Sequence, residues 1–167
     1  MNTRRRDRVT GGRKLAGRIG FVMLLAGLFG SNLKCVAIDG GASELTWSLR
    51  TFAGDPVDSC ADSKISHIRL CWNAIDSGAR GCRPGQFRDF VCDDQTGVTR
   101  FEIPPGYTRL FVEPICEDGL APAVGTYQAP QDIVRNVKEG EVVTLDSLLI
   151  VVTEPGSTCG ADCTCVR

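Results

Sequence analysis

The sequence holds a single histidine, His67, and only two tryptophans and two tyrosines among its 167 residues. A hydrolase of the Ser-His-Asp or Cys-His kind would have to take its base from that one imidazole. His67 stands in the middle of an alternating segment, in phase with Arg69 and Asn73, where a solvated surface side chain is expected rather than a catalytic one. No apolar run reaches the about 20 residues that a membrane-spanning helix needs, and the uncharged run Ile19 to Gly30 has 12. No 3.6-residue hydrophobic period persists over two turns, so a helical domain is excluded. Asp55, Asp58 and Asp62 share one loop and Asp93 and Asp94 a turn, but their spacing lacks the D-x-[DN]-x-[DN]-G order of a calcium loop. These acids are expected to be solvated. No catalytic residue, cofactor site or metal site is assigned, and the chain is expected not to be an enzyme.

Charge is what the chain has, and it is unevenly spread. Residues 1–18 carry Arg4, Arg5, Arg6, Arg8, Arg13, Lys14 and Arg18 against the single acid Asp7. From Ile38 onward there are 19 acids and 11 lysines and arginines, a balance of −8. So acidic a segment repels phosphate backbones, which argues against nucleic-acid binding. A basic start, the apolar run 19–30 and a short polar segment ending in Ala37 have the order of a secretory signal peptide. Cleavage after Ala37 would place Ala37 at −1 and Cys35 at −3. Cys35 is also a candidate for lipidation, because it follows the apolar run closely, although Lys34 before it suits that poorly. A twin-arginine signal at Arg4-Arg5 is weakened by Asp7. The expected organisation is a signal peptide over 1–37, a domain over 38–153 and a cysteine-bearing tail over 154–167. The protein is expected outside the cytoplasm, in the periplasm, at the cell surface or secreted, meeting a membrane only through a lipid anchor on Cys35.

Nine cysteines are many for this length. Outside the cytoplasm they pair, and without Cys35 an even set remains: Cys60, Cys71, Cys82, Cys92, Cys116, Cys159, Cys163 and Cys165. Up to four disulfides follow, with connectivity open. Cys60 and Cys92 flank a strand-loop-strand unit and form the first expected pair. Cys71 and Cys116 both lie in strands and form the second, as a bridge between sheets.

Alternation of apolar and polar residues marks the strands. Leu45, Trp47 and Leu49 share one face of 44–51. Ile68, Leu70, Trp72 and Ala74 share one face of 65–74, with His67, Arg69, Cys71 and Asn73 opposite. Further strands are expected over 86–92, 98–103, 107–116, 132–137 and 141–152, divided by turns at 76–85, 93–97 and 104–106. The run 148–152 is apolar enough to be buried on both faces. About seven short, regularly spaced strands predict an all-β, single Greek-key β-sandwich stabilised by disulfides. Tyr107, Arg109, Phe111 and Glu113 point away from Leu110 and Val112, and Tyr107 with Phe111 makes a candidate recognition patch.

The segments LTWSLR, HIRLCW with Cys60 before it and Cys92 after it, and FEIPPGYTRLFVE with the β run from Glu141 resemble the carboxypeptidase regulatory-like or transthyretin-like domain of exported bacterial proteins. The strand, Pro-Gly turn, Tyr, strand order of 101–113 is the most specific part, and the resemblance spans roughly 44–153. The cysteines Cys71, Cys82 and Cys116 and the tail depart from it. It implies an accessory, structural or binding module. Two functions are carried forward: a non-enzymatic exported module that binds a protein, a glycan or another envelope component, and a thiol-dependent metal-binding or redox protein. The second rests on Cys159, Cys163 and Cys165, whose C-x3-C-x-C spacing suits a soft metal, with Cys82 or another distant thiol as a fourth ligand.

Overall fold

The computed structural model describes residues 38–78, 81–153 and 164–165. The leader 1–37 and the tail cysteines Cys159 and Cys163 lie outside them.

Eight strands form among the described residues: β1 Ala42–Thr51, β2 Ile65–Ala74, β3 Phe87–Val91, β4 Thr96–Val98, β5 Gly106–Cys116, β6 Tyr127–Gln128, β7 Ile133–Val137 and β8 Val142–Val152. They make two four-stranded sheets, ordered β4-β1-β8-β6 and β3-β2-β5-β7. Only the β2–β3 connection stays within one sheet; every other one crosses to the opposite sheet, as Greek-key winding requires. The second sheet is antiparallel throughout. In the first, β1 and β8 run parallel along nearly their whole length, so the chain's first and last strands lie side by side at the centre.

Alternation decides which side chains meet between the sheets. Leu45, Trp47 and Leu49 from β1 and Leu148, Ile150 and Val152 from β8 face Ile68, Leu70 and Trp72 from β2 and Leu110 and Val112 from β5 in one buried cluster. The Trp47 indole N–H donates to the Cys92 carbonyl at 2.9 Å, which joins the sheets by a hydrogen bond as well as by packing.

Several sequence expectations need correction. The run 148–152 is not buried on both faces: Leu149 is 45% exposed, while Leu148 and Ile150 are buried. Asn73, in phase with His67 and Arg69, is 1% exposed, and its amide donates to the Gly81 carbonyl at 3.0 Å. The strand expected over 98–103 pairs earlier, as β4 over 96–98, and β6 is a strand that alternation does not reveal.

A bulge explains how β8 keeps its apolar residues inward. The register steps from Glu44↔Thr144 to Thr46↔Ser147, and Asp146 takes the left-handed conformation with φ 58°. One extra residue on β8 flips the phase, so Leu145 before it and Leu148 after it both face the core.

Among the described residues, three disulfides brace the sandwich. Cys60 and Cys92 join the turns before β2 and after β3, with Cα atoms 5.9 Å apart. Cys71 joins Cys82 and Cys116 joins Cys165, each with Cα atoms 5.3 Å apart. These Cα separations lie in the range that a disulfide spans. The expected Cys71–Cys116 bridge is therefore corrected: both residues belong to adjacent strands of one sheet, and in register Cys71 lies opposite Phe111 while Cys116 lies opposite Ile65. Cys165 brings the tail back to the end of β5. Beside it, the Thr164 hydroxyl donates to the Thr126 carbonyl at 2.5 Å and accepts from the Thr153 amide at 2.9 Å.

Candidate functional site

The strands β3, β2, β5 and β7 place alternate residues on the outer face of the second sheet, and register sorts these into rows. One row is Phe87, Cys71, Phe111; the next is Asp89, Arg69, Glu113. On the other side of the cysteine row, Asn73 lies beside Arg109, and Arg109 beside Val134. Tyr107 follows on β5, 65% exposed. The face thus carries aromatic rings and charges in adjoining rows, the pairing that stabilises neighbouring strands.

Arg69 is held on three sides. Its Nε and Nη2 donate to the two Asp89 carboxylate oxygens at 2.7 and 2.9 Å. Its guanidinium lies 4.0 Å over the Phe87 ring, a cation–π arrangement. Glu113 faces it from β5. The hydrogen bonds to Asp89 hold the guanidinium pKa above its usual value. Burial pushes the Glu113 carboxyl up, against the opposing pull of Arg69 and of a hydrogen bond from the Cys82 backbone N–H. Burial also raises the Tyr127 phenol, and the Glu113 charge adds to that.

The connection between β2 and β3 folds back over this face. The Cys71–Cys82 disulfide ties it at one point and the Asn73–Gly81 hydrogen bond at another. Gly81, Arg109, Phe111 and Asp132 then line an open recess of about 530 Å³. Arg109 Nε lies 2.8 Å from Asp132 Oδ2, yet at an angle that makes no hydrogen bond. Among the described residues, that nitrogen keeps only its ion pair, and the Oδ1 of Asn73 on the facing strand is buried without a hydrogen-bond partner. Such atoms cost stability unless a ligand or water satisfies them.

The remaining candidates are distributed as follows. Tyr107 and Phe111 share the outer face of β5; Phe111 lines the recess and Tyr107 lies beyond Arg109. His67 is half-buried, with Nδ1 2.9 Å from the Ser66 hydroxyl. That hydroxyl donates its proton toward the carbonyls of Ile115 and Cys116, at 3.1 and 2.9 Å. A nucleophilic serine would direct its proton to the imidazole instead. Asp93 accepts from the Cys60 amide at 2.9 Å, a structural use of one turn acid. Among the described residues, three metal-ligating atoms converge only at Cys71, Cys82 and Glu113. Because Cys165 is bonded to Cys116, the tail does not present three free thiolates, which removes a ligand from the metal or redox reading of Cys159, Cys163 and Cys165.

Sequence reasoning missed the Asp89–Arg69–Glu113 row and the pairing of Cys71 with Cys82. A signal for the second exists: these cysteines bracket a glycine-rich connection between two antiparallel neighbours. The first depends on register, which the sequence does not state.

Three disulfides mark a chain that folds in an oxidising environment, outside the cytoplasm. Among the described residues no helix is long and apolar enough to cross a membrane. No protein-family model, curated protein or solved structure matches the chain.

Proposed function

We propose that the protein is a non-enzymatic binding module of the cell envelope, exported through its basic and apolar leader, and that it binds through the outer face of the second sheet. The observation that carries this reading is the recess beside Arg109. A ring platform at Phe111, a paired charge at Arg109 and Asp132, and the Gly81 backbone line one concavity. Concave sites with an apolar wall and a few convergent polar groups are what ligands use. The exposed Tyr107 extends the surface outward. The likeness of 44–153 to carboxypeptidase regulatory-like or transthyretin-like domains supports an accessory role, and the leader supports the periplasm, the cell surface or the medium as its place of work. The ligand is a protein, a glycan or another envelope component.

The test is two-dimensional NMR of the labelled exported chain, titrated separately with protein, glycan and lipid fractions of the envelope. We expect one fraction to shift the amides of Gly81, Arg109, Phe111 and Asp132, and Arg109→Ala to weaken that response at least tenfold. Shifts confined to other surfaces, or a response that Arg109→Ala leaves intact, would contradict the proposal.

A further inference from the structure

The three disulfides differ in setting. Cys60 and Cys92 are part of the buried core, and Cys116 is buried at the end of β5. Cys71–Cys82 instead lies on the outer face, where Cys71 is fully buried in β2 but Cys82 sits half-buried on the β2–β3 connection. It also closes the shortest loop, 11 residues against 32 and 49. A shorter loop gains less from restricting the unfolded chain, and a half-buried cysteine such as Cys82, or Cys165 in the longest loop, is one a thiolate can reach; the short loop sets Cys71–Cys82 apart.

Glu113 completes the setting. It lies diagonal to Cys71 on the neighbouring strand, and the Cys82 backbone N–H bonds its carboxylate. The two sulfurs and a Glu113 oxygen lie within 4.8 Å of one another. Tetrahedral zinc, with Zn–S near about 2.3 Å and Zn–O near about 2.1 Å, sets its ligand atoms roughly 3.5–3.8 Å apart. The carboxylate therefore lies within about 1 Å of that spacing or closer, and the sulfurs must part. The connection can supply that movement. Gly81, next to Cys82, has φ 100° and open space where a side chain would be.

We propose that the Cys71–Cys82 bond is a redox gate over a metal site: once reduced, the two thiolates and the Glu113 carboxylate bind a thiophilic divalent cation of the zinc class. A dithiol donor breaks the S–S bond, delivers two electrons and two protons to the pair, and is itself oxidised to a disulfide. The cation then displaces the two thiol protons and forms two metal–sulfur bonds and one metal–oxygen bond. Two thiolates and one carboxylate against a dication leave one negative charge, opposite the Arg69 guanidinium. A fourth position faces outward for water. Asp89 lies beyond Arg69, engaged by its two hydrogen bonds, and supplies no ligand. The inference is independent of what fills the neighbouring recess.

The test uses the oxidised full chain. Limiting dithiothreitol under argon, followed by alkylation and peptide mass mapping, should label Cys71 and Cys82 before Cys60, Cys92, Cys116 or Cys165. Opening of a core pair first would overturn the gate. Zn2+ added after reduction and desalting should then protect Cys71 and Cys82 from labelling, and Glu113→Gln should raise the Zn2+ needed for protection at least tenfold. Labelling that Zn2+ does not slow, or protection that Glu113→Gln leaves unchanged, would overturn the site. With Co2+ as probe, the reduced chain should develop thiolate-to-metal charge-transfer absorption that Cys71→Ser/Cys82→Ser removes. Full retention of that absorption in the double variant assigns the metal to other thiols and refutes the proposal.

Discussion

Gly97 lies beneath the Phe90 ring. A Cβ there would come 2.5 Å from Phe90 Cγ and 2.6 Å from Cδ1. Those atoms are at the root of the ring, which also meets Trp47 with ring centroids 6.1 Å apart, so the ring cannot swing away freely. Gly97→Ala should cost about 1–3 kcal/mol, read as a lower urea midpoint with an unchanged slope; an unaltered midpoint would mean that the sheets do not approach as described. Glu113 gives a second residue-scale expectation. Burial raises its pKa in the fold, so the folded chain binds the proton more readily than the unfolded one. The stability this contributes is complete below the usual glutamate range and is lost as pH rises through the raised value. Glu113→Gln, fixed neutral, should match wild type in acid and gain on it toward neutral pH. Because half the side chain stays exposed, solvent screening keeps that gain well below about 1 kcal/mol. Paired urea titrations at pH 4 and pH 7 check this, and a variant that instead loses ground at the higher pH would contradict it.

Elements show where alternation is a sufficient guide and where it is not. In the central parts of β1, β2 and β5 a two-residue period places Trp47, Leu70 and Leu110 inside, although β2 shifts register between Ile65 and His67. β8 breaks the rule, because its apolar residues change phase at Asp146 and a continuous period reads the stretch after it as buried on both sides. The bulge itself is invisible without the partner strand, since only β1's register exposes the extra residue. β6 escapes because two residues, Tyr127 and Gln128, carry no period. The candidate site was legible in part: Tyr107, Arg109, Phe111 and Glu113 share a phase, but Asp132 and Gly81 join them only through tertiary packing. The bulge is testable at this scale. Asp146 has positive φ, which glycine adopts freely and β-branched residues resist. Asp146→Gly should be neutral or stabilising by about 0.5 kcal/mol, and Asp146→Val destabilising by about 1–2 kcal/mol. The reverse order would remove the bulge from the account.

At the scale of the whole molecule, the crosslinks govern both architecture and function. Cys60–Cys92 fixes the turns at one end of the second sheet, Cys116–Cys165 returns the tail to β5, and Cys71–Cys82 lays the β2–β3 connection over the proposed binding face. Composition called for pairing, because nine cysteines behind a basic and apolar start that reads as a leader favour an oxidising compartment. Which sulfur meets which is a property of the folded sheets: adjacent strands can be bridged only at facing positions, and that is why Cys71 finds Cys82 on its own connection rather than Cys116 on β5. The recess depends on this arrangement, since Gly81 lines it only while the connection is tied down. The most direct measurement is a disulfide map of the natively exported protein, by non-reducing digestion and mass spectrometry at a pH that suppresses exchange. Peptides joining Cys60 to Cys92, Cys71 to Cys82 and Cys116 to Cys165 are the predicted result. A Cys71–Cys116 crosslink, or free thiols at these six positions, would contradict the fold, the binding face and the gate together.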